Sequence, residues 1–206
     1  IMHHRLISGV NVSRETIEAL EHFAALIEKW TVKINLISKA SLSDLWDRHI
    51  LDSAQLLKIC PRNIQNWLDL GSGGGLPGVV VAILAKELIP KLTMTLVESD
   101  KRKSVFLRTA IRELELNATV LNARIEKTAP LQADVISARA LAELDVLLAL
   151  AEPHLTKNTI CLFQKGENWQ KELSKAQQSW SFHCDITKSE TQSGAIILKL
   201  GEVGRA

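Results

Sequence analysis

Hydrophobic residues recur at helical spacing near the start of the chain. Over 13–34 an apolar side chain returns every three or four positions, which predicts an amphipathic helix with Ser13 as its N-cap. A similar pattern over 43–58 predicts a second helix, and Pro61 bars its continuation. Residues 1–62 are therefore expected to form a helical extension in front of the rest of the chain.

After this extension, short apolar runs alternate with amphipathic stretches, a pattern typical of a parallel sheet with crossover helices. Five runs predict strands: Trp67–Leu70, Leu92–Val97, Ala118–Leu121, Val135–Ser137 and Thr159–Phe163. The amphipathic stretches predict helices at 77–88, 101–115, 143–152 and 167–178. Two last runs, Phe182–Thr187 and Ala195–Leu200, have no helix between them and predict an antiparallel hairpin. We expect residues 63–206 to form one α/β domain with a seven-stranded, mostly parallel sheet.

The composition fits one compact domain with the extension attached. The 206 residues are 46% hydrophobic, enough for one core and too few for two full domains. A net charge of +2 neither demands nor excludes a nucleic-acid partner. The three cysteines are widely spaced, which argues against a disulfide framework and favours a reduced cytosol. The longest nearly apolar run, 76–85, is roughly half of what a membrane span needs. We expect a cytoplasmic protein without a membrane partner.

The most informative segment runs from Asp69 to Gly78 and reads Asp-Leu-Gly-Ser-Gly-Gly-Gly-Leu-Pro-Gly. A predicted strand enters this turn and a predicted helix leaves it, so a ligand can approach bare backbone beside unpaired helix N–H groups. The spacing Gly73-x-Gly75-x-x-Gly78 also satisfies the dinucleotide fingerprint, a weak signal on its own. Asp69 favours another ligand, because a carboxylate attracts the cationic end of S-adenosylmethionine and repels a pyrophosphate.

Glu98 ends the next predicted strand, 27 residues after Gly71. Ligands of this topology lie over the carboxyl ends of the strands, where a carboxylate can accept hydrogen bonds from both ribose hydroxyls of an adenosine. The short chain and the closing hairpin also favour an S-adenosylmethionine-dependent methyltransferase. An NAD-dependent oxidoreductase is the first alternative.

Several motifs together resemble one family over almost the whole chain. They are Arg48-His-Ile-Leu-Asp-Ser53, the glycine segment 69–78, Glu98-Ser-Asp-Lys-Arg-Lys103, Ala123-Arg-Ile-Glu126, Ile136-Ser-Ala-Arg-Ala140 and Gln164-Lys-Gly166. The chain resembles the RsmG family, also called GidB, the 16S ribosomal RNA guanine-N7 methyltransferases with a Rossmann-like class I fold. One departure is the extra Ala138 before Arg139, where many relatives have Ser-Arg-Ala.

The resemblance implies a cofactor, a substrate and a set of site residues. It implies contacts of S-adenosylmethionine with Gly71, Leu76, Ile125, Glu126 and Arg139. The residue pattern argued above adds Asp69, Gly73 and Glu98 to the expected cofactor site. The methyl group would pass to N7 of one guanine in 16S ribosomal RNA, guanine 527 by family resemblance, in naked RNA, a 30S subunit or an assembly intermediate. Because N7 carries an in-plane lone pair, we expect no general base and assign Arg139 to positioning.

Basic residues are the candidate RNA contacts. They are Lys101, Arg102, Lys103, Arg124 and Lys165, which are expected near the strand ends. A run such as 101–103 is more often a solvated helix face, so that alternative stays open. We expect the target guanine in a loop or splayed region, because A-form helices hide N7 in a deep, narrow groove.

The segment with Arg48, His49 and Asp52 has two interpretations. It could contact RNA, or it could be a structural network that docks the extension, with Arg48 and Asp52 as an intrahelical pair four residues apart. His49 has no metal-ligand partner at useful spacing, so no metal is expected. We also expect a monomer. The second alternative for function is a non-enzymatic RNA-binding assembly factor with a relic cofactor site.

Overall fold

The computed structural model describes residues 5–206, so the first four positions of the predicted extension lie outside the described residues. The described part opens with an antiparallel hairpin that the sequence did not predict, formed by β1 (Arg5–Ile7) and β2 (Val10–Val12). The helix α1 (Arg14–Ile34) then confirms the first predicted helix. Its N-cap is Ser13, whose Oγ accepts a hydrogen bond from the Thr16 N–H at 3.3 Å.

The second predicted helix, 43–58, forms only in pieces. A 3₁₀ turn (Lys39–Ser41) precedes this range. The pieces within it are a π-helical segment (Trp46–Leu51), α2 (Asp52–Ala54) and α3 (Leu56–Ile59). The prediction of one regular α-helix is therefore wrong over 46–51, where the main chain is wound with π-type bonds between residues five apart. The helical path ends just before Pro61, as expected.

Seven strands form one sheet, as predicted. Five are parallel: β3 (Asn66–Leu70), β4 (Thr93–Val97), β5 (Ala118–Leu121), β6 (Val135–Arg139) and β7 (Ile160–Lys165). The closing hairpin is β8 (Trp180–Lys188) and β9 (Ile196–Arg205), and β9 runs antiparallel to β7. The strand order is β5-β4-β3-β6-β7-β9-β8. It reverses at β3, and open sheets of this kind hold ligands over the carboxyl ends of the strands at such a point.

Helices cover both faces of the sheet. They are α4 (Gly78–Leu88), α5 (Lys101–Glu113), α6 (Leu144–Ala151) and α7 (Trp169–Ala176), with 3₁₀ turns at Ile125–Lys127 and Glu152–His154. The strands alternate between two apolar clusters: Trp67 packs with α4 and α5, and Leu68 packs with α6. This two-sided burial explains why the strands read as continuous apolar runs.

The extension packs into the first of these clusters. Phe23 of α1 stacks on Phe106 of α5 with ring centroids 6.2 Å apart, and Trp30 lies 5.7 Å from the same ring. Leu20 and Ile27 are fully buried. The predicted division at 62/63 stays a prediction, but α1 and the α/β part share one core. Among residues 5–206, no helix is long and apolar enough to cross a membrane.

Candidate active site

A cavity of about 420 Å³ lies over the glycine segment, at the carboxyl end of β3. We call it the first cavity. Six of the predicted cofactor positions line it together with two basic residues: Gly71, Gly73, Leu76, Glu98, Ile125 and Glu126, with Lys103 and Arg124. Arg139 completes the wall on the side of β6. The volume lies within the range of small-molecule sites. The structure thus brings most of the predicted cofactor residues to one place.

Two glycines are required by close approach. Gly71 has a φ of +64°, and a Cβ there would lie 2.6 Å from a methyl group of Leu141. Gly78 starts α4, where a Cβ would lie 2.6 Å from Oδ2 of Asp69 and 2.5 Å from a methyl group of Leu96. The segment therefore combines a left-handed turn with a helix start pressed against a buried carboxylate.

Glu98 holds the glycine segment in place. Its Oε2 accepts a hydrogen bond from the Gly73 N–H at 2.7 Å, and its Oε1 accepts one from the Asp100 N–H at 2.7 Å. The side chain is buried yet lines the first cavity. A carboxylate has about four acceptor positions, so Glu98 can serve two more donors, such as a pair of ribose hydroxyls.

Asp69 lies under the glycine segment rather than in the cavity wall. It is 1% exposed, and its Oδ1 accepts a hydrogen bond from the Ser137 hydroxyl at 2.7 Å, which in turn accepts one from the Trp67 ring N–H at 2.8 Å. Its Oδ2 has no hydrogen-bond partner among the described residues. Burial raises the pKa of Asp69 to about 6, opposed in part by hydrogen bonds from Ser137 and Ser72. The expected contact of Asp69 with the cationic end of a cofactor stays a prediction, and the structure places this carboxylate behind the glycine segment.

The other predicted cofactor positions follow β5. The 3₁₀ turn that starts at Ile125 places this residue as a buried floor of the first cavity, with Arg124 and Glu126 exposed at its rim. Leu36, which follows α1, lies on the opposite side, and a Cβ on Gly74 would come within 3.2 Å of its carbonyl oxygen. No site role was predicted for Leu36, because an apolar residue after a helix carries no binding signal of its own.

Arg139 ends β6 and is held by the extension. Its Nη2 donates to Nδ1 of His49 at 2.6 Å, and its Nη1 lies 3.3 Å from Oδ2 of Asp52 and 3.4 Å from the Arg48 carbonyl. Burial lowers the pKa of Arg139, and Asp52 opposes this effect. The predicted Arg48–Asp52 pair is wrong, because Asp52 faces Arg139 and the π-helical winding removes the regular four-residue spacing. The docking-network interpretation agrees with these contacts.

His49 is neutral in this arrangement. Burial lowers its pKa to about 4, and the charges of Arg139 and Arg48 act in the same direction. Since Nδ1 accepts from Arg139, the proton sits on Nε2, which lies 2.9 Å from Oγ of Ser41. Sequence reasoning missed this pairing because residues 49 and 139 are far apart in the chain.

A second cavity, of about 520 Å³, adjoins the first. The two share Arg139, Ala140 and Leu141, so this segment is the partition between them. Lys165 lines the second cavity, but its ammonium group already lies 2.7 Å from a Glu172 carboxylate oxygen and 2.6 Å from the Ala142 carbonyl. The prediction that Lys165 is available for an RNA phosphate is therefore corrected: its charge is neutralised inside the protein.

The three basic residues at the start of α5 lie in two different environments. Lys103 lines the first cavity, whereas Lys101 and Arg102 are exposed and line neither cavity. Arg102 also pairs with Asp100 at 3.5 Å. No group of three or more histidine, cysteine or acidic side chains in the described chain is placed to hold a metal ion.

Comparison with solved structures identifies the fold. A SAM-dependent methyltransferase from Aquifex aeolicus matches with a TM-score of 0.58 and 14% identity, over 76% of this chain and 92% of that one. A TehB-like SAM-dependent methyltransferase from Corynebacterium glutamicum matches with a TM-score of 0.55 and 14% identity, over 90% of this chain and 99% of that one. The predicted class I methyltransferase fold is confirmed.

Sequence comparison identifies the family. Ribosomal RNA small subunit methyltransferase G from Cereibacter sphaeroides (strain ATCC 17029 / ATH 2.4.9) is 52% identical over 97% of both chains, and the protein of that name from Ruegeria sp. (strain TM1040) is 52% identical over 95% of both. A family model described as "GidB: rRNA small subunit methyltransferase G" matches residues 16–196. This chain therefore belongs to the rRNA small subunit methyltransferase G (GidB) family, as its motifs predicted.

Proposed function

We propose that this chain transfers the methyl group of S-adenosylmethionine to N7 of one specific guanine in 16S ribosomal RNA. Family membership supports a methyltransferase acting on small-subunit ribosomal RNA. The observation that carries the finer statement is the pair of cavities that meet at Arg139–Leu141. One cavity has the features of a nucleoside-cofactor site, and the other can receive a base beside it.

The first cavity fits the cofactor through the chemistry of its lining. Glu98 offers acceptors to two ribose hydroxyls, and the turn at Ile125 and Glu126 can meet the adenine edge. Asp69 supplies a buried negative charge below the glycine segment, where it favours a nearby cation. When bound, S-adenosylmethionine supplies an electrophilic methyl group on a positively charged sulfur.

The reaction asks the protein for positioning rather than proton transfer. Guanine N7 attacks with an in-plane lone pair and loses no proton, so no residue need act as a base before attack. The partition at Arg139 can align the base with the methyl group, and holding the reactants in line contributes most of the rate. Arg139 is the positioning residue in this proposal, held by neutral His49 and by Asp52.

The RNA strand would pass over the exposed rim of the first cavity. Arg124 and Lys103 lie at this rim, where they can pair with phosphates, and the exposed Lys101 and Arg102 extend the same basic helix start. The same proposal includes a monomeric enzyme and a cytoplasmic location. Its substrate is the 16S ribosomal RNA as naked RNA, in a 30S subunit or in an assembly intermediate.

The decisive experiment is transfer of a tritiated methyl group to ribosomal RNA from cells that lack this protein, followed by mapping of the labelled nucleotide. We expect label at N7 of a single 16S guanine, supplied as naked RNA or as 30S particles in parallel arms. Arg139→Ala and Gly71→Asp should abolish transfer, whereas Arg14→Ala, at a side chain 79% exposed on α1, should not. Label on another atom would refute the N7 assignment.

The two alternatives give different outcomes in the same experiment. Membership of a methyltransferase family argues against the NAD-dependent oxidoreductase. A relic site in an RNA-binding assembly factor would bind RNA without transferring label. Calorimetry with S-adenosylmethionine and with NAD separates these cases independently of turnover.

A further inference from the structure

One residue that lines the second cavity carries a buried acceptor that no group in residues 5–206 satisfies. Gln164 lines this cavity and is 7% exposed. Its Nε2 donates to Oδ2 of Asp52 at 2.7 Å and to the Asp52 carbonyl at 3.1 Å. Both partners are acceptors, which fixes the orientation of the amide. Its Oε1 is therefore the free end, and this atom is buried without a partner among the described residues.

An orphan acceptor of this kind points to a missing donor. A buried polar group without a hydrogen bond is costly, and such groups in native proteins usually have a role that explains them. Asp52 is engaged in full by its neighbours: its Oδ1 accepts from Gln55, Ser189 and Thr191, each at 3.0 Å. These hydrogen bonds fix Asp52, and Asp52 in turn holds the Gln164 amide in one orientation.

Gln164 is well placed relative to the first cavity. It is the cross-strand partner of Arg139, on the strand next to it. The strand order β3-β6-β7 then separates the glycine segment from Gln164 by two strand spacings, about 10 Å. A purine that lies across the end of β6 would span this gap, with one end at the partition and the other at Gln164.

We propose that the second cavity binds the target guanine and that Oε1 of Gln164 accepts a hydrogen bond from its N2 amino group. This inference rests on the proposed function. In guanine, N7 and the N2 amino group lie at opposite ends of the ring system. A hydrogen bond from the amino group to Gln164 therefore directs N7 toward the partition and the first cavity. Enzymes that act on an extruded base read its Watson–Crick edge in this way. Adenine and hypoxanthine carry no amino group at this position.

The test is a double-mutant cycle in which one change is made in the protein and the other in the RNA. The RNA carries either guanine or hypoxanthine at the mapped target position. Hypoxanthine lacks only the N2 amino group. We expect the wild-type kcat/KM for methyl transfer to fall about tenfold or more on this replacement. Gln164→Met, of similar length and apolar, should lower kcat/KM for guanine and treat both bases equally. Gln178→Leu, at an exposed glutamine, is the control and should keep the wild-type discrimination.

Two results would overturn the inference. The first is equal wild-type rates on the two RNAs, which needs no variant and so does not depend on whether Gln164→Met folds. The second is unchanged discrimination in a folded Gln164→Met protein. A failure of the proposed function would look different: wild-type protein would transfer no methyl group to the guanine RNA, and calorimetry would report cofactor binding separately.

Discussion

The buried carboxylate of Asp69 makes stability depend on pH in a way that one substitution can expose. Its folded-state pKa is raised to about 6 from 3.8, chiefly by burial. Asp69→Asn keeps an acceptor for the Ser137 hydroxyl but removes the ionisable group. The amide N–H₂ takes the position of Oδ2, which already lacks a partner, so the variant also carries a cost that does not change with pH.

The contribution of Asp69 to the free energy of unfolding changes with pH because the folded and unfolded chains bind its proton with different affinities. A raised folded-state pKa means that the folded protein binds the proton more tightly than the unfolded chain does. The stabilisation is complete below pH 3.8, falls as the pH rises, and is lost above about pH 6. The difference of about two pH units corresponds to about 3 kcal/mol at 1.36 kcal/mol per unit. For a chain of this size that is roughly 6–12 °C in Tm.

The assay is urea unfolding of wild type and Asp69→Asn from pH 4 to 7.5. His49, whose pKa is lowered to about 4, makes stability rise with pH over much of the same range, so the raw wild-type profile is a sum of opposite slopes. The difference between the two proteins isolates Asp69. We expect wild type to lose about 3 kcal/mol relative to the variant as the pH rises. Asp47→Asn, at an exposed aspartate, is the matched control for removing a carboxylate. A flat difference would refute the assigned pKa.

Three further predictions follow from the site. Gly78→Ala should lower the free energy of unfolding by about 1–3 kcal/mol, because its Cβ would overlap neighbouring atoms, whereas Gly166→Ala has open space; equal thermal melts for the two would contradict this. His49→Asn places an acceptor near the position of Nδ1 and should retain more methyl transfer than His49→Gln; equal rates would remove the role of the Arg139 contact. Because no general base is needed, the single-turnover rate with saturating cofactor should be flat from pH 7 to 9, and a log-linear rise would show that a proton is removed.

Much of the sheet could be predicted because strand and helix patterns are local. The seven strands and four crossover helices lie within a few residues of their predicted positions. The β1–β2 hairpin was missed because each of its strands has only three residues, too few to show a period. The π-helical segment was missed because apolar spacing alone does not distinguish π from α winding over six residues.

The site residues show the same contrast between what local sequence determines and what depends on distant parts of the chain. The glycine segment and Glu98 could be predicted because a strand, a turn and a fixed spacing place them at adjacent strand ends. The partners of Arg139 and Lys165 could not, since each depends on which distant side chain folds against it. Lys165 lies at the predicted strand end, but its charge is neutralised by Glu172. Nothing in the local sequence indicates that pairing.

The extension is part of the site because it determines what the partition can do. Arg139 needs to stay charged and fixed between two cavities, and a protonated histidine beside it would repel it. The depressed pKa of His49 leaves a neutral acceptor there at physiological pH. Asp52 binds both Arg139 and Gln164, so the residue on the partition and the orphan acceptor share one buried anchor. Buried polar networks are most stable when every member is satisfied. A donor that reached Oε1 of Gln164 would complete this network, so base binding and the alignment of Arg139 are expected to reinforce each other.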